Sequence, residues 1–336
     1  MWDVADLPAP ATPNDAAWPD VLDLRVTEVT WEADGVIGIR LRDRDGRDLP
    51  PWTPGAHLEV VLPSGLVRHY SLCSDPADRT SYKIAVLREE GGRGGSAEMH
   101  DLPLVGRFLK IRGPRNHFAL VPDTPLVLIA GGIGITPIVS MLMSLPPGAD
   151  WQLYYLGRSR GTMAFVDQLV ALGGERVHLA PKDEVGRFEV GPVLEDLVPG
   201  TSVYCCGPPS LLEAVEHAVS TREDVAVYSE RFVPAEARGV PGGENPHDSS
   251  FDVELRRSDV VLTVPPDRSV LSVVRDVIPD VPYSCEEGYC GSCETRVLSG
   301  QPDHRDDILS EQERAANDTM FICVSRACSR RLVLDL

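Results

Sequence analysis

From DLRVTEVTWEADGVIGIRLRD to FALVPDTP the apolar residues come in short runs, among them HLEVVL, YKIAVLR and RFLKIRG, separated by Gly, Pro and Asp. Short alternating segments broken by turn residues predict an antiparallel β-barrel of about 100 residues over 21–121. After Pro122 the pattern changes. PLVLIAGG is continuously apolar and leads through a glycine-rich turn into PIVSMLMSL; then come WQLYYLGR, FVDQLVAL, RVHLAP, VYCCGP and PSLLEAVEHAV. Apolar strands alternating with helices predict a doubly wound α/β sheet over 122–232. The stretch VPAEARGVPGGENPHDSS (233–250) is polar and rich in Gly and Pro, the composition of a linker. Beyond it FDVELRRSDVVLTVP predicts a hairpin and SVLSVVRDV a helix, so 251–336 forms a third, α+β domain of β-grasp type. Residues 1–20 are rich in Pro and Ala and predict a loose arm.

The 336 residues suit several domains, and 25% charged with 43% hydrophobic residues is a globular composition. Fifty-one acids against 32 bases leave a net charge of −19. Such a surface repels nucleic acid and anionic membrane and attracts a partner with a basic docking surface. The N-terminal segment lacks the basic start of a signal peptide and no long apolar run follows, which points to a cytoplasmic protein without membrane spans. A reducing cytoplasm disfavours disulfides, so the eight cysteines call for metal ligation or catalysis.

Three of them are crowded into PYSCEEGYCGSCETRV as Cys285-x4-Cys290-x2-Cys293, and MFICVSRACSRRL offers a further one about thirty residues on. That spacing is the plant-type [2Fe–2S] arrangement. Gly291 and Ser292 are small enough to let a loop close around a cluster, and either Cys323 or Cys328 supplies the fourth thiolate. Zinc sites usually pair C-x2-C with a second close pair of Cys or His, which the x4 gap and a single remote ligand fit poorly.

Upstream, Arg68-His69-Tyr70-Ser71 closes one barrel strand. An arginine can hold a phosphate, an aromatic ring can pack on an isoalloxazine, and a serine hydroxyl can bond flavin N5. GGRGGSAEMH sets Gly94, Gly95 and Ser96 before a helix, a phosphate-binding pattern. IAGGIGITPI follows an apolar strand with Gly132-x-Gly134 and Thr136-Pro137, and Cys206-Gly207-Pro208 ends a later strand, where ligands bind open sheets.

In this order the motifs resemble the ferredoxin–NADP reductase superfamily, and with the C-terminal cysteines the chain resembles phthalate dioxygenase reductase and its relatives over most of 20–336. The resemblance implies FMN in the barrel, NADH in the middle domain and a plant-type ferredoxin at the end. It implies that Arg68, His69, Tyr70 and Ser71 contact FMN, that Ala85 and Val86 line it, and that Gly94, Gly95 and Ser96 take its phosphate. Thr136 is implied beside the ring and Phe232, in YSERF, over it. Gly132, Gly134, Pro137, Gly207 and Pro208 are implied to shape the nucleotide site, with Cys206 beside the reacting carbon; Ser71, Cys206 and Thr136 would serve the reaction itself. ICVSRA resembles the fourth-ligand context, which makes Cys323 the ligand alongside Cys285, Cys290 and Cys293. One departure concerns Arg158-Ser159-Arg160, where the family's NADH users carry an acid; two guanidinium groups could accept the 2′-phosphate of NADPH.

The implied activity is electron transfer from NAD(P)H through FMN to the cluster and on to a Rieske-type oxygenase or a cytochrome P450, by a monomeric protein. A redox sensor and a stand-alone flavin reductase are the alternatives.

Overall fold

The computed structural model describes residues 21–89, 94–121, 124–232, 249–279, 281–283, 286, 288, 291–306, 308–309 and 311–336. The N-terminal arm, most of the linker, Cys285 and Cys290 lie outside these described residues.

The first unit comprises β1 (Leu22–Ala33), β2 (Val36–Asp43), β3 (His57–Val61), β4 (Val67–Ser71), β5 (Tyr82–Leu87), α1 (Gly95–Asp101) and β6 (Phe108–Arg115). Its strands run in the order β4-β3-β6-β1-β2-β5, and all of these neighbours pair antiparallel. A bridge from Leu72 to Ile84 draws the two ends together into the barrel that the alternation predicts. Leu24, Val26, Leu58, Val60, Tyr82, Ile84, Val86 and Ile111 fill its interior. Glu59 and His57, at the intervening positions of β3, therefore lie on the outer face.

The second unit comprises β7 (Leu126–Gly131), α2 (Ile135–Ser144), β8 (Trp151–Gly157), α3 (Val166–Gly173), β9 (Val177–Pro181), α4 (Lys182–Val185), α5 (Gly191–Glu195), β10 (Ser202–Cys206), α6 (Pro209–Val219) and β11 (Ala226–Glu230). All pairings are parallel and the order is β11-β10-β7-β8-β9. One apolar cluster gathers Ile138, Leu142 and Leu169 of α2 and α3, and another gathers Leu194, Leu212 and Val215 of α5 and α6, so both faces are covered. The chain moves outward from β7 to β9, then returns to β10 on the other side of β7, which makes the carboxyl ends of β7 and β10 the switch point of the sheet.

The third unit comprises β12 (Phe251–Leu255), β13 (Val260–Val264), α7 (Val270–Val274), β14 (Glu294–Ser299), β15 (Pro302–Asp303), α8 (Glu311–Ala316), β16 (Thr319–Phe321), β17 (Arg326–Ala327) and β18 (Arg331–Leu334). It is a mixed sheet in the order β13-β12-β18-β14-β16, with β12 and β18 parallel and the other pairs antiparallel. Val270, Leu271 and Val274 of α7 close its core, the grasp of a helix by a mixed sheet that the sequence implies.

The units join in different ways. Ala33, Val36, Cys73, Ala85 and Phe118 of the barrel belong to one continuous apolar cluster with Leu128, Ile138, Phe165 and Cys206 of the parallel sheet. Among the described residues, the core of the third unit takes in none before Phe251. The connection from barrel to parallel sheet is further pinned by Tyr204, fully buried in β10. Its hydroxyl donates to the Ala119 carbonyl at 3.1 Å and accepts from the Val121 N–H at 2.9 Å. Its ring stacks on Tyr228 with centroids 4.7 Å apart.

Replacing Tyr204 by Phe leaves the ring in place and strands the Val121 N–H and the Ala119 carbonyl. The expected cost is about 1–3 kcal/mol, read as a lower urea midpoint for the barrel and parallel sheet, with the third unit unaffected.

Candidate functional site

β4 lies at one end of the barrel's strand order. Its register sets Arg68 against Val60, Tyr70 against Leu58, His69 against Glu59 and Ser71 against His57. Strand alternation divides these residues. Tyr70 packs on the barrel core, and burial pushes its hydroxyl pKa up; His69 and Ser71 point outward. Arg68 donates from Nη1 to the Val67 carbonyl at 2.7 Å and lies directly on Gly95. A Cβ at Gly95 would overlap the Arg68 side chain and push the guanidinium off this turn. Gly94, at φ 80°, opens α1 in the left-handed conformation that favours glycine. The Ser96 hydroxyl accepts from the Glu89 N–H at 3.1 Å. A guanidinium against a glycine-built turn has the charge and the room for a phosphate.

The side chains of Ala85 and Val86 face opposite sides of β5. Val86 is in the barrel interior, and Ala85 joins the cluster shared with the parallel sheet. Phe232 packs on that same cluster. Thr136 is buried near the start of α2 and donates to the Ile133 carbonyl at 3.0 Å, bracing the glycine turn. Pro137 is buried beside it and accepts from the Ser140 hydroxyl at 2.8 Å.

At the switch point the glycine loop and the Cys206-Gly207-Pro208 turn are in direct contact. A Cβ on Gly134 would strike the Cys206 carbonyl, one on Gly131 would come 2.7 Å from Pro208 Cδ, and one on Gly207 would come 3.0 Å from Gly131. Gly132, at φ 56°, has open space beside it. Backbone this bare at a sheet's carboxyl edge suits close approach by a nucleotide. Further along the edge, Ser159 and Thr162 form a capping box around a short turn. Arg160 is held by Glu184 at 3.0 Å, while Arg158 is exposed.

Sequence reading missed Glu230. The parallel register places it beside Cys206, which in turn neighbours Ala130. Burial pushes the Glu230 carboxyl up to about 8, against a smaller opposite pull from the Ser71 hydroxyl. Its Oε2 and the Ser71 hydroxyl are both sealed from solvent without a hydrogen bond of ordinary geometry among the described residues. Burial, with Glu230 next, also holds the Cys206 thiol well above its ordinary pKa, so that it stays neutral. Orphaned polar atoms on Ser71 and Glu230 are what a ring bearing both donors and acceptors would satisfy, so these residues fit a flavin. The acid in YSERF was legible as a polar residue at the carboxyl end of a strand, but nothing in the sequence set it beside Cys206.

Of the proposed cluster ligands, Cys293 and Cys323 are buried in the core of the third unit. Pairing of Glu294 with Phe321 brings their segments together, and the Ile322 N–H donates to the Cys293 carbonyl at 3.4 Å. Cys328 is exposed beyond β17, with its backbone N–H donating to the Gln301 carbonyl. Gly288 and Gly291 both have positive φ; a Cβ on the first would meet Val324 at 2.7 Å and one on the second the His117 ring at 2.5 Å. The buried thiols and tight glycine turns fit a cluster loop, and that loop lies against the barrel.

Residues 253–328 match the family model of the 2Fe-2S iron-sulfur cluster binding domain. The chain is 42% identical over 318 residues to phenoxybenzoate dioxygenase subunit beta of Ectopseudomonas oleovorans, covering 93% of this chain and 97% of that one. The solved structure of phthalate dioxygenase reductase, described as a modular structure for electron transfer from pyridine nucleotides to [2Fe-2S], aligns with a TM-score of 0.65 and 38% identity, over 94% of this chain and 98% of that one. An intact type IV self-sufficient cytochrome P450 monooxygenase aligns with a TM-score of 0.87 and 42% identity; 94% of this chain matches 41% of that longer chain.

The raised Glu230 pKa carries a sign. The folded flavin-free protein holds this proton more tightly than the unfolded chain, whose carboxyl titrates near 4.5. The resulting stabilisation is fully present below that pH and is lost as pH rises through about 8. Thermal melts of the flavin-free protein should fall across this window, and Glu230→Gln should flatten the fall.

Proposed function

The chain belongs to the phthalate dioxygenase reductase family, and from that premise we propose how its residues divide the work. It is the reductase component of an oxygenase system, carrying electrons from a pyridine nucleotide through a flavin to a [2Fe–2S] cluster and on to a terminal oxygenase. Among the described residues no helix is long and apolar enough to cross a membrane.

The finer assignment is FMN on the outer edge of β4. When bound, the flavin accepts a hydride and delivers single electrons, and the cluster stores one electron at a time. Arg68 and the Gly94–Ser96 turn bind the phosphate, and Tyr70 braces the edge. Ser71 presents its hydroxyl to the reacting side of the ring. Gly132, Gly134, Gly207 and Pro208 keep the switch point open for the nucleotide, and Thr136 with Pro137 holds their loop in place. Cys206, neutral and buried, packs beside the reacting carbon. Glu230, largely protonated near pH 7, holds a proton close to Ser71. Cys285, Cys290, Cys293 and Cys323 hold the cluster.

The observation that carries this reading is the meeting of three units around one strand edge. Ser71 lies near Glu230 of the parallel sheet, and His69, two residues earlier, lies 3.3 Å from Ser292 of the third unit, the neighbour of Cys293. NADH is the proposed donor: with Arg160 engaged by Glu184, one of the two guanidinium groups suited to a 2′-phosphate is occupied and only the exposed Arg158 is left for it. The proposed partner is a Rieske-type oxygenase or a P450 with a basic docking face, met by a monomer in the cytoplasm. Association should weaken as salt rises.

Visible spectra under argon, with iron and flavin assays on the same sample, test the reading. Two irons and one FMN per chain are expected, with flavin and cluster bands that bleach on adding NADH; a colourless protein, or a flavoprotein without iron, overturns it. Cys293→Ser should abolish cytochrome c reduction and spare flavin bleaching. NADH should exceed NADPH in kcat/KM; a clear preference for NADPH would instead assign the 2′-phosphate to Arg158.

A further inference from the structure

The outer face of β3, β4 and β6 carries a polar cluster that the electron path itself does not require. Glu59 lies at its centre, a carboxylate on the outside of a barrel and yet only 2% exposed. The register sets it opposite Arg112 on β6 and His69 on β4. Its Oε1 accepts from Arg112 Nη1. Its Oε2 accepts from the Ser292 hydroxyl of the cluster loop at 2.9 Å, a bond across 233 positions of sequence. Ser292 in turn accepts from Arg115 Nη1 at 3.3 Å, and that nitrogen is 3.8 Å from Glu59 Oε2. Beside this group the His117 ring lies on Gly291 so closely that any Cβ would displace it. His57 fills the space between His69 and His117, with ring centroids 5.1 and 5.9 Å away.

An outward carboxylate normally faces water, and burying one is tolerated only when its oxygens are taken up. Here one oxygen is taken by Arg112 of the barrel. The other accepts the Ser292 hydroxyl of the third unit at hydrogen-bond distance, with Arg115 and His69 of the barrel further off at 3.8 and 3.9 Å. Among the described residues the third unit shares no apolar core with the rest of the chain, and polar contacts of this kind hold the cluster loop where it rests.

We infer that Glu59 is a positioning residue that receives Ser292 and holds the cluster loop on the outer face of the flavin strand. This inference rests on the proposed electron path for its purpose, and on the coordinates alone for the contact. The bond is directional, so it fixes orientation. Being polar, it can exchange with water and release when the cluster unit delivers to its partner.

The test uses the cofactor-loaded full chain with Glu59→Gln, Ser292→Ala and the double variant. Hydrogen exchange of the amides over 291–296 reports docking without reference to turnover. Each single variant should speed exchange there by about tenfold, the size expected for losing one hydrogen bond to a charged group. The double variant should be no worse than the more severe single one, because both remove the same bond. In rapid mixing with NADH, cluster bleaching should lag in the variants while flavin bleaching keeps its rate. Unchanged exchange in Ser292→Ala, or fully additive effects in the double variant, overturns the inference. If Glu59→Gln fails to fold, Ser292→Ala with an unaltered reduced-cluster EPR spectrum still decides it. Failure of NADH to bleach the parent protein would sink the proposed function and leave the exchange result standing.

Discussion

The apolar seam between the barrel and the parallel sheet is the constraint on which the rest depends. Phe118, Cys73 and Ala85 on one side and Leu128, Ile138 and Cys206 on the other form one core. Moving either unit would open that core to water at about 25 cal/mol for each Å² exposed. Because the seam does not slide, the end of β4 stays opposite the ends of β7 and β10. Two loops and a strand edge, none of them a site by itself, become one by virtue of that shared packing. The neutral Cys206 and the protonated Glu230 are products of the same burial.

Much of this was legible in the sequence, because the fold's periods are clean. Alternation gave the barrel, and continuous apolar strands followed by amphipathic helices gave the doubly wound sheet. The glycine positions were informative as well, since Gly95, Gly134 and Gly207 each sit where a Cβ would collide with a named neighbour. What stayed hidden depends on register or on contacts between units. Val86 reads like Ala85 in sequence, and only strand alternation sends it into the barrel. Glu230 becomes notable only when the parallel ladder sets it beside Cys206. Glu59 looks like any acid in a strand until Ser292 arrives from far along the chain. The ion pair of Arg160 with Glu184 joins residues 24 positions apart and is likewise not visible in sequence.

The two joints of the molecule suit two different tasks. Hydride transfer needs reacting atoms held at close range, and the barrel and parallel sheet are cemented by side chains that water cannot reach. Delivery of single electrons to a separate protein needs a carrier that can turn outward. The third unit closes its own core and touches the barrel through hydroxyl, carboxylate, guanidinium and imidazole groups, each of which water can replace.

The burial of Cys293 and Cys323 among Phe321, Ile322 and Met320 has a consequence for how the protein is made. As cluster ligands, these thiolates would anchor inorganic atoms inside the wall of a hydrophobic core rather than on its rim. The stability of the third unit would then rise once iron and sulfide are in place. A chain that missed this step in an iron-starved cell would keep apolar surface exposed and be open to proteolysis. Nutrient supply would in this way set how many chains survive, and the survivors would be those able to conduct.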